Sequence, residues 1–145
     1  TRIMDVQPRL EDTLTLAALN QCLMRMLWRL RVRNQRWRRY DPFLISENRW
    51  RAQRYGVSDG LIDFGRGEIV PMAELTEELI GLIEEDAGIL RCARELERSR
   101  EIVTQGNGTS RQRAVAAEAK AAGQDADGQM RAVVGHLVDA FHDGL

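Results

Sequence analysis

Ser46-Glu47-Asn48-Arg49-Trp50-Arg51-Ala52-Gln53-Arg54-Tyr55-Gly56, followed at once by Leu61-Ile62-Asp63 and Glu68-Ile69-Val70, is the stretch on which the reading of this chain turns. Ser46 as an N-cap and Gly56 just past the end predict a helix of two to three turns. The two short runs flank Gly65-Arg66-Gly67, which supplies glycines where positive φ is needed, so they predict a small β-hairpin closed by Pro71. On the helix, Trp50 and Arg54 lie one turn apart, as do Arg51 and Tyr55. Guanidinium forks beside aromatic rings suit a polyanion, whether ATP phosphates or an RNA backbone. The same residues also suit a surface helix whose arginine stems lie over Trp50.

Upstream, Thr1 to Gln7 predicts a short extended segment with Ile3 and Val6 apolar and Pro8 closing it. Alternation places Arg2 and Met4 on one face, Ile3 and Asp5 on the other. An arginine there can grip a carboxylate or phosphate with both arms, or simply stand exposed at a sheet edge. A chain that opens inside a strand is expected to be a portion of a longer protein. Leu10 to about Arg39 then predicts one long helix, with Leu16, Leu19, Leu23, Met26, Leu27 and Leu30 as its apolar stripe. Pro42 pushes Asp41 out of helical geometry. Met24, Met26 and Trp28 are expected to pack in a core or an interface. Arg25, Arg29, Arg33 and Arg36 recur at helical steps. Such a stripe is either a nucleic-acid surface or the partner of an acidic neighbour, the Glu-rich helix near 74–86 being one.

Downstream the pattern is helical. Residues 73–87 carry Leu75, Leu79, Leu82 and Ile83 on one face. Further helices are predicted over 91–104, about 110–122 with Thr109 or Ser110 as cap, and about 129–142. The last shows Val133, Val134, Leu137, Val138 and Phe141 as a stripe. Asp125-Ala126-Asp127-Gly128 lacks the distal Glu of a calcium loop, and His136 and His142 are not spaced as helical metal ligands.

With 145 residues, 43% apolar and 30% charged, the chain has the size and composition of one globular domain. No apolar run approaches the ~20 residues of a membrane span, and no export signal opens the chain, so the cytoplasm is the expected compartment. Residues 1–56 hold 12 Lys+Arg against 5 Asp+Glu, while residues 57–145 hold 9 against 17. Two parts of opposite sign either handle phosphates on one side or attract each other. Cys22 and Cys92 lack metal-type spacing, and Cys22 reads as a reduced, buried thiol.

Taken together, these stretches resemble the glutamate–cysteine ligase type 2 family of ATP-dependent carboxylate–amine ligases. Arg2-Ile3-Met4-Asp5 looks like the family's Glu-x-Arg-x-x-Asp strand, with Glu11-Asp12-Thr13 following it. Asn48 through Gly56 is similar to its Asn-[Lys/Arg]-[Trp/Phe]-x-Ala-x-Arg-[Tyr/Phe]-Gly motif, followed by the same hairpin at 61–71. Gly106 through Gln112 and Arg131 through Val134 resemble its Gly-x-x-x-x-Arg-Gln and Arg-x-Val-Val stretches.

The resemblance implies an α+β, glutamine-synthetase-like catalytic domain, of which this chain is the C-terminal, mostly helical portion with one sheet strand and a hairpin. It implies phosphorylation of a carboxylate, by default the glutamate γ-carboxylate, with ATP and Mg²⁺, followed by attack of an amine such as cysteine. Arg2, Asp5, Asn48, Arg49 and Arg54 are the implied substrate- or ATP-binding residues, with Trp50 and Tyr55 packing them. The metal-binding glutamates fall outside this chain, the matching one just before Thr1, so the portion alone is expected to be inactive. The implied partners are glutamate, an amine, ATP and the upstream part of the same protein, and a homo-oligomer is compatible with all of this. A non-enzymatic Arg-rich helical module binding nucleic acid or a protein partner is the competing class.

Overall fold

The structure, a computed structural model, describes residues 5–143. Six helices and one hairpin follow in the order α1 (Leu10–Val32), α2 (Pro42–Tyr55), β1 (Leu61–Asp63), β2 (Glu68–Val70), α3 (Met72–Leu90), α4 (Ala93–Gln105), α5 (Gly108–Ala121) and α6 (Ala126–His142). The mixture of helices with an antiparallel hairpin is the α+β composition expected. Arg2 and most of the predicted first strand lie outside the described residues. The described remainder, Asp5 to Gln7, belongs to no strand.

The core is where α1, α3 and α4 meet. Ala18, Cys22 and Met26 from α1, Ile83 and Ala87 from α3, and Leu96 from α4 form its buried centre. Leu19, Leu23, Leu30, Leu79 and Leu82 pack around it. The predicted α1 stripe is therefore right in phase, although Leu27 stays 42% exposed and Trp28, on the same turn, 63%. Met26 is core as expected, whereas Met24 faces outward.

Helix α1 stops at Val32, well short of Arg39. Asn34 takes φ 55°, the Gln35 N–H donates to Leu30 O at 2.8 Å, and the Asn34 N–H donates to Arg31 O at 3.1 Å. This pair of reversed bonds is the Schellman ending, which asparagine can accept in place of glycine. Helix α2, conversely, begins four residues before Ser46. Asp41 is the true cap, its Oδ1 accepting from the Phe43 N–H at 2.8 Å, and Pro42 sits in the first turn, where its missing N–H costs nothing. Ser46 instead bonds back to Pro42 O. Asn107, not Thr109 or Ser110, caps α5, and Asp125 caps α6 by accepting from the Gly128 N–H at 2.8 Å. The Asp-Ala-Asp-Gly run is thus a helix start.

The two predicted runs form the hairpin, which pairs Leu61 with Val70, Ile62 with Ile69 and Asp63 with Glu68, with positive φ at Gly67 of the turn. Its turn includes Phe64, whose ring meets Tyr40 edge-on at 4.9 Å. Helices α5 and α6 pack on one another, with Ala119 and Ala140 buried. The apolar row of α6 does not enter a core: Val134, Val138 and Phe141 are each half exposed or more.

Two buried carboxylates tie the helices together. Asp86 on α3 accepts from Arg29 at 2.8 Å, with Arg25 at 3.6 Å, while Arg29 and Arg33 also reach Glu85. Arg38 bridges to Glu78. Of the four-residue stripe, three arginines are thus turned onto α3, so the charge asymmetry of the sequence is largely an internal attraction. Asp12, 1% exposed, accepts from Arg98 of α4 at 3.0 Å and from Arg111 of α5 at 2.7 Å.

Candidate functional site

The local geometry of the 48–56 stretch separates its polar residues into clamps and free cations. Ile62 exposes one N–H and one C=O on the side of β1 away from β2. Asn48 Nδ2 donates to Ile62 O at 2.8 Å, and the Ile62 N–H donates to Asn48 Oδ1 at 2.7 Å. Arg51 donates to Gly60 O at 3.1 Å and to Asp59 at 2.9 Å, and its guanidinium lies 5.5 Å from the centre of the Tyr55 ring. The Trp50 and Tyr55 rings meet edge to face at 5.8 Å. Asn48 and Arg51 therefore fasten α2 to the hairpin, and Trp50 and Tyr55 pack on one another, with Arg51 beside Tyr55.

Beyond Tyr55 the chain turns sharply at Gly56, with φ 60° and ψ −125°, a conformation that side chains disfavour. A Cβ there would stand 2.7 Å from Asn107 Nδ2. This contact brings the end of α2 against the start of α5. Gly106, with φ 90°, makes the companion bend between α4 and α5. Asn107 Oδ1 accepts from the Ser110 N–H at 3.0 Å and fixes the first turn of α5.

Between these two bends lies an open cleft of about 740 Å³, lined by Arg54, Ser58, Thr104, Asn107, Ser110 and Arg113 among others. No carboxylate is among the lining residues, so Arg54 and Arg113 face the cleft as uncompensated cations beside hydroxyl and amide donors. The positive end of α5 adds to the same sign. A guanidinium pair with hydroxyls at its side can hold a phosphate or carboxylate through charge-assisted hydrogen bonds.

Among the expected binding residues, Arg54 lines the cleft. Arg49 is exposed on α2 and lines no part of it. Asn48 has its amide engaged with Ile62. Asp5 is exposed and accepts from the N–H of Val6 at 2.9 Å, and Arg2 lies outside the described residues. Two residues after Asp5, Gln7 Oε1 stands 3.6 Å from the Cβ position of Gly108, so Gln7 lies beside the start of α5. Arg113 was missed. The available signal was its place in the second turn of the helix opened by Gly106-Asn107-Gly108. The arginine of that motif which does match the family pattern, Arg111, is turned inward onto Asp12.

An anionic group suits this cleft, whereas Mg²⁺ does not fit the described residues, which hold no group of three or more His, Cys, Asp or Glu side chains. No helix among them is long and apolar enough to cross a membrane.

The profile of glutamate–cysteine ligase family 2 (GCS2) matches residues 1–136. A protein of Ruegeria pomeroyi named "Putative glutamate--cysteine ligase 2" is 59% identical over the whole chain, which spans 37% of that relative's length. Proteins of the same name from Rhodospirillum rubrum and Sorangium cellulosum are 54% and 44% identical over 94% and 99% of this chain, covering 35% and 36% of their own lengths. The matched region is the C-terminal part of these relatives, so the chain spans little more than a third of them. No solved structure matches. The 48–56 and 106–112 stretches that carried the resemblance meet at one cleft, the family profile covers nearly every residue, and the chain belongs to glutamate–cysteine ligase family 2.

Proposed function

We propose that this chain is the C-terminal portion of one glutamine-synthetase-like catalytic domain that joins an amino-acid carboxylate to an amine at the expense of ATP. The carboxylate is the glutamate γ-carboxylate and the amine is cysteine or a relative of it. A carboxylate oxygen takes the γ-phosphoryl group of ATP, the amine nitrogen attacks the acyl phosphate, and inorganic phosphate leaves. Arg54 and Arg113 hold an anionic group in the cleft, a phosphate of the nucleotide or a carboxylate of the substrate, and offset the charge that grows during transfer. Mg²⁺ and the carboxylates that would hold it belong to the remainder of the protein, and the reaction takes place in the cytoplasm.

The observation that carries this reading is the convergence of Arg54 and Arg113, 59 positions apart, on a cleft without carboxylates. A second supports a partner within the same protein. Met24, Trp28 and Val32 on α1, and Met130, Val134 and Val138 on α6, form exposed apolar rows stepping by four. Rows of this kind seat against another surface more often than they stand in water. Upstream sequence of the length seen in the relatives is the occupant this reading assigns. The nucleic-acid alternative loses its main support because Arg25, Arg29 and Arg33 are directed at Asp86 and Glu85.

ADP release by the full-length protein with Mg-ATP and glutamate, with and without cysteine or other amines, tests the reading. Release that requires both amino acid and amine supports a ligase. A well-folded protein that releases no ADP with any pairing, yet binds RNA or DNA with steep salt dependence, would sink it.

A further inference from the structure

The two cysteines, 70 positions apart in sequence, are neighbours in space. Their Sγ atoms lie 3.4 Å apart, Cys22 wholly buried in the α1 face of the core and Cys92 half-buried at the corner between α3 and α4. The corner is rigidly built. Arg91 takes φ 58°, its N–H donates to Gly88 O at 3.3 Å, and the Cys92 N–H donates to Ala87 O at 3.1 Å. This reversed pair ends α3 and sets Cys92 as the first flanking residue of α4. The backbone thus aims Cys92 at Cys22, and a half-buried thiol backed by a buried one is an arrangement that packing alone does not require. A metal is not the reason: no His, Asp or Glu of the described residues joins the pair in a three-ligand group.

We propose that Cys92 and Cys22 form a disulfide site, with Cys92 the thiol that meets the oxidant and Cys22 the one that resolves it. Closing the 3.4 Å gap to the ~2.05 Å of an S–S bond needs about 1.3 Å in all, about 0.7 Å from each side, within reach of side-chain rotation. The oxidant is a hydroperoxide. The Cys92 thiolate attacks the peroxide oxygen, giving a sulfenic acid and releasing the alkoxide or hydroxide, which takes up the proton the thiol gave up. The Cys22 sulfur then attacks the Cys92 sulfur. The S–O bond breaks, the Cys22 proton leaves with the departing hydroxyl, and water is released. Two thiols lose two electrons and one peroxide gains them. Cys22, out of contact with water, keeps its proton until this second step: burial first, and the neighbouring Cys92 next, push its thiol up to about 12. The bond would lock α1 to the α3–α4 corner across the centre of the core.

The full-length protein, reduced, desalted and exposed to stoichiometric hydrogen peroxide, is quenched with acid, alkylated and digested with trypsin. The expected product joins the peptide of residues 10–25 to that of residues 92–94, two hydrogens lighter than their sum, and vanishes on reduction. Oxidation should also raise the melting temperature. In Cys22→Ala, Cys92 should remain a sulfenic acid and take up dimedone, and in Cys92→Ser, Cys22 should stay a thiol. The wild-type peptide map decides without either variant, should one fold poorly. Separate peptides with Cys92 labelled by dimedone in the wild type would overturn the proposal. So would a Cys92–Cys92 bond between two molecules.

Discussion

Arg111 donates to Asp12 at 2.7 Å across 99 positions of sequence, and so joins the closing Gly-x-x-x-x-Arg-Gln stretch to the Glu-Asp-Thr that opens α1. Arg98 holds the other carboxylate oxygen at 3.0 Å, which makes Asp12 the meeting point of α1, α4 and α5. Asp12→Ala would leave two guanidiniums facing a dry hole. Breaking a buried pair by removing one partner costs about 3–5 kcal/mol, and the lower end applies because Arg98 and Arg111 keep about a fifth of their side-chain surface in water. Urea unfolding should register a loss of about 3 kcal/mol, with Asp12→Asn falling between. A loss under about 1 kcal/mol would mean that the junction is solvated in solution.

Gly56 is the second joint, and it should tolerate no side chain. Its φ of 60° with ψ of −125° suits glycine alone, and the new Cβ would meet Asn107 Nδ2 at 2.7 Å. Strain of that kind costs about 1–3 kcal/mol. Gly56→Ala should therefore lower stability by about that much and displace α2 from α5, raising the KM for the anionic substrate. Gly56→Ala with unchanged stability and KM would remove the joint from the account.

The elements most legible in the sequence were those with local chemistry strong enough to act alone. The two runs of the hairpin, the Gly56 stop and the core phase of α1 all came from spacing and turn residues. The missed ends have particular causes. Asn34 does the work normally given to glycine, and Asp41 with Pro42 outranks Ser46 as a start. The cleft was half legible: Arg54 stands in a recognisable motif, whereas Arg113 joins it only because Gly106 and Asn107 fold α5 back towards α2. Asn48 was read as a ligand-facing residue, but its amide is matched to a peptide group fourteen positions away, a pairing that no spacing rule reveals. The apolar row of α6 was legible as a row, but spacing does not say what covers it, and Val134, Val138 and Phe141 stay half exposed or more.

Asn48 should behave as a clamp in solution. Asn48→Ala leaves the outward N–H and C=O of Ile62 without their partner, and an unsatisfied pair of this kind costs about 1–3 kcal/mol. Asn48→Asp restores an acceptor for the N–H but sets a carboxylate against Ile62 O. Hydrogen exchange at Ile62 should accelerate at least tenfold in Asn48→Ala and remain intermediate in Asn48→Asp. Unaltered protection would show that the hairpin holds without α2.

Cys22 gives a pH dependence with a definite sign. Its thiol ionises near 9.0 when free and is pushed up to about 12 in the fold, first by burial. The folded state therefore holds a proton that the unfolded chain releases. Stability from this group is fully present below about pH 9 and is eroded as pH rises towards 12, by at most about 1.4 kcal/mol per unit. In reduced protein, unfolding free energy should fall from pH 9 to 11 more steeply in the wild type than in Cys22→Ala. Parallel curves would place the titration elsewhere.

Arg54 and Arg113 face one cleft from different helices, so their substitutions should be coupled rather than additive. Each alone removes one of two cations from a bound anion. Loss of a charge-assisted contact made in the transition state lowers kcat/KM by roughly ten- to a hundredfold, following about 1.5–3 kcal/mol for hydrogen bonds to charged groups. Arg54→Ala should show this in the full-length protein, with Arg54→Lys retaining part of the rate because charge survives without the fork. Arg113→Ala should fall in the same range, and the double variant should fall by less than the product of the two. Arg49→Ala, on the exposed side of α2, serves as the control and should stay within about threefold. If Arg49→Ala is the damaging change while Arg54→Ala and Arg113→Ala are near parental, the working surface is the outer face of α2 and the cleft is only a bend between helices.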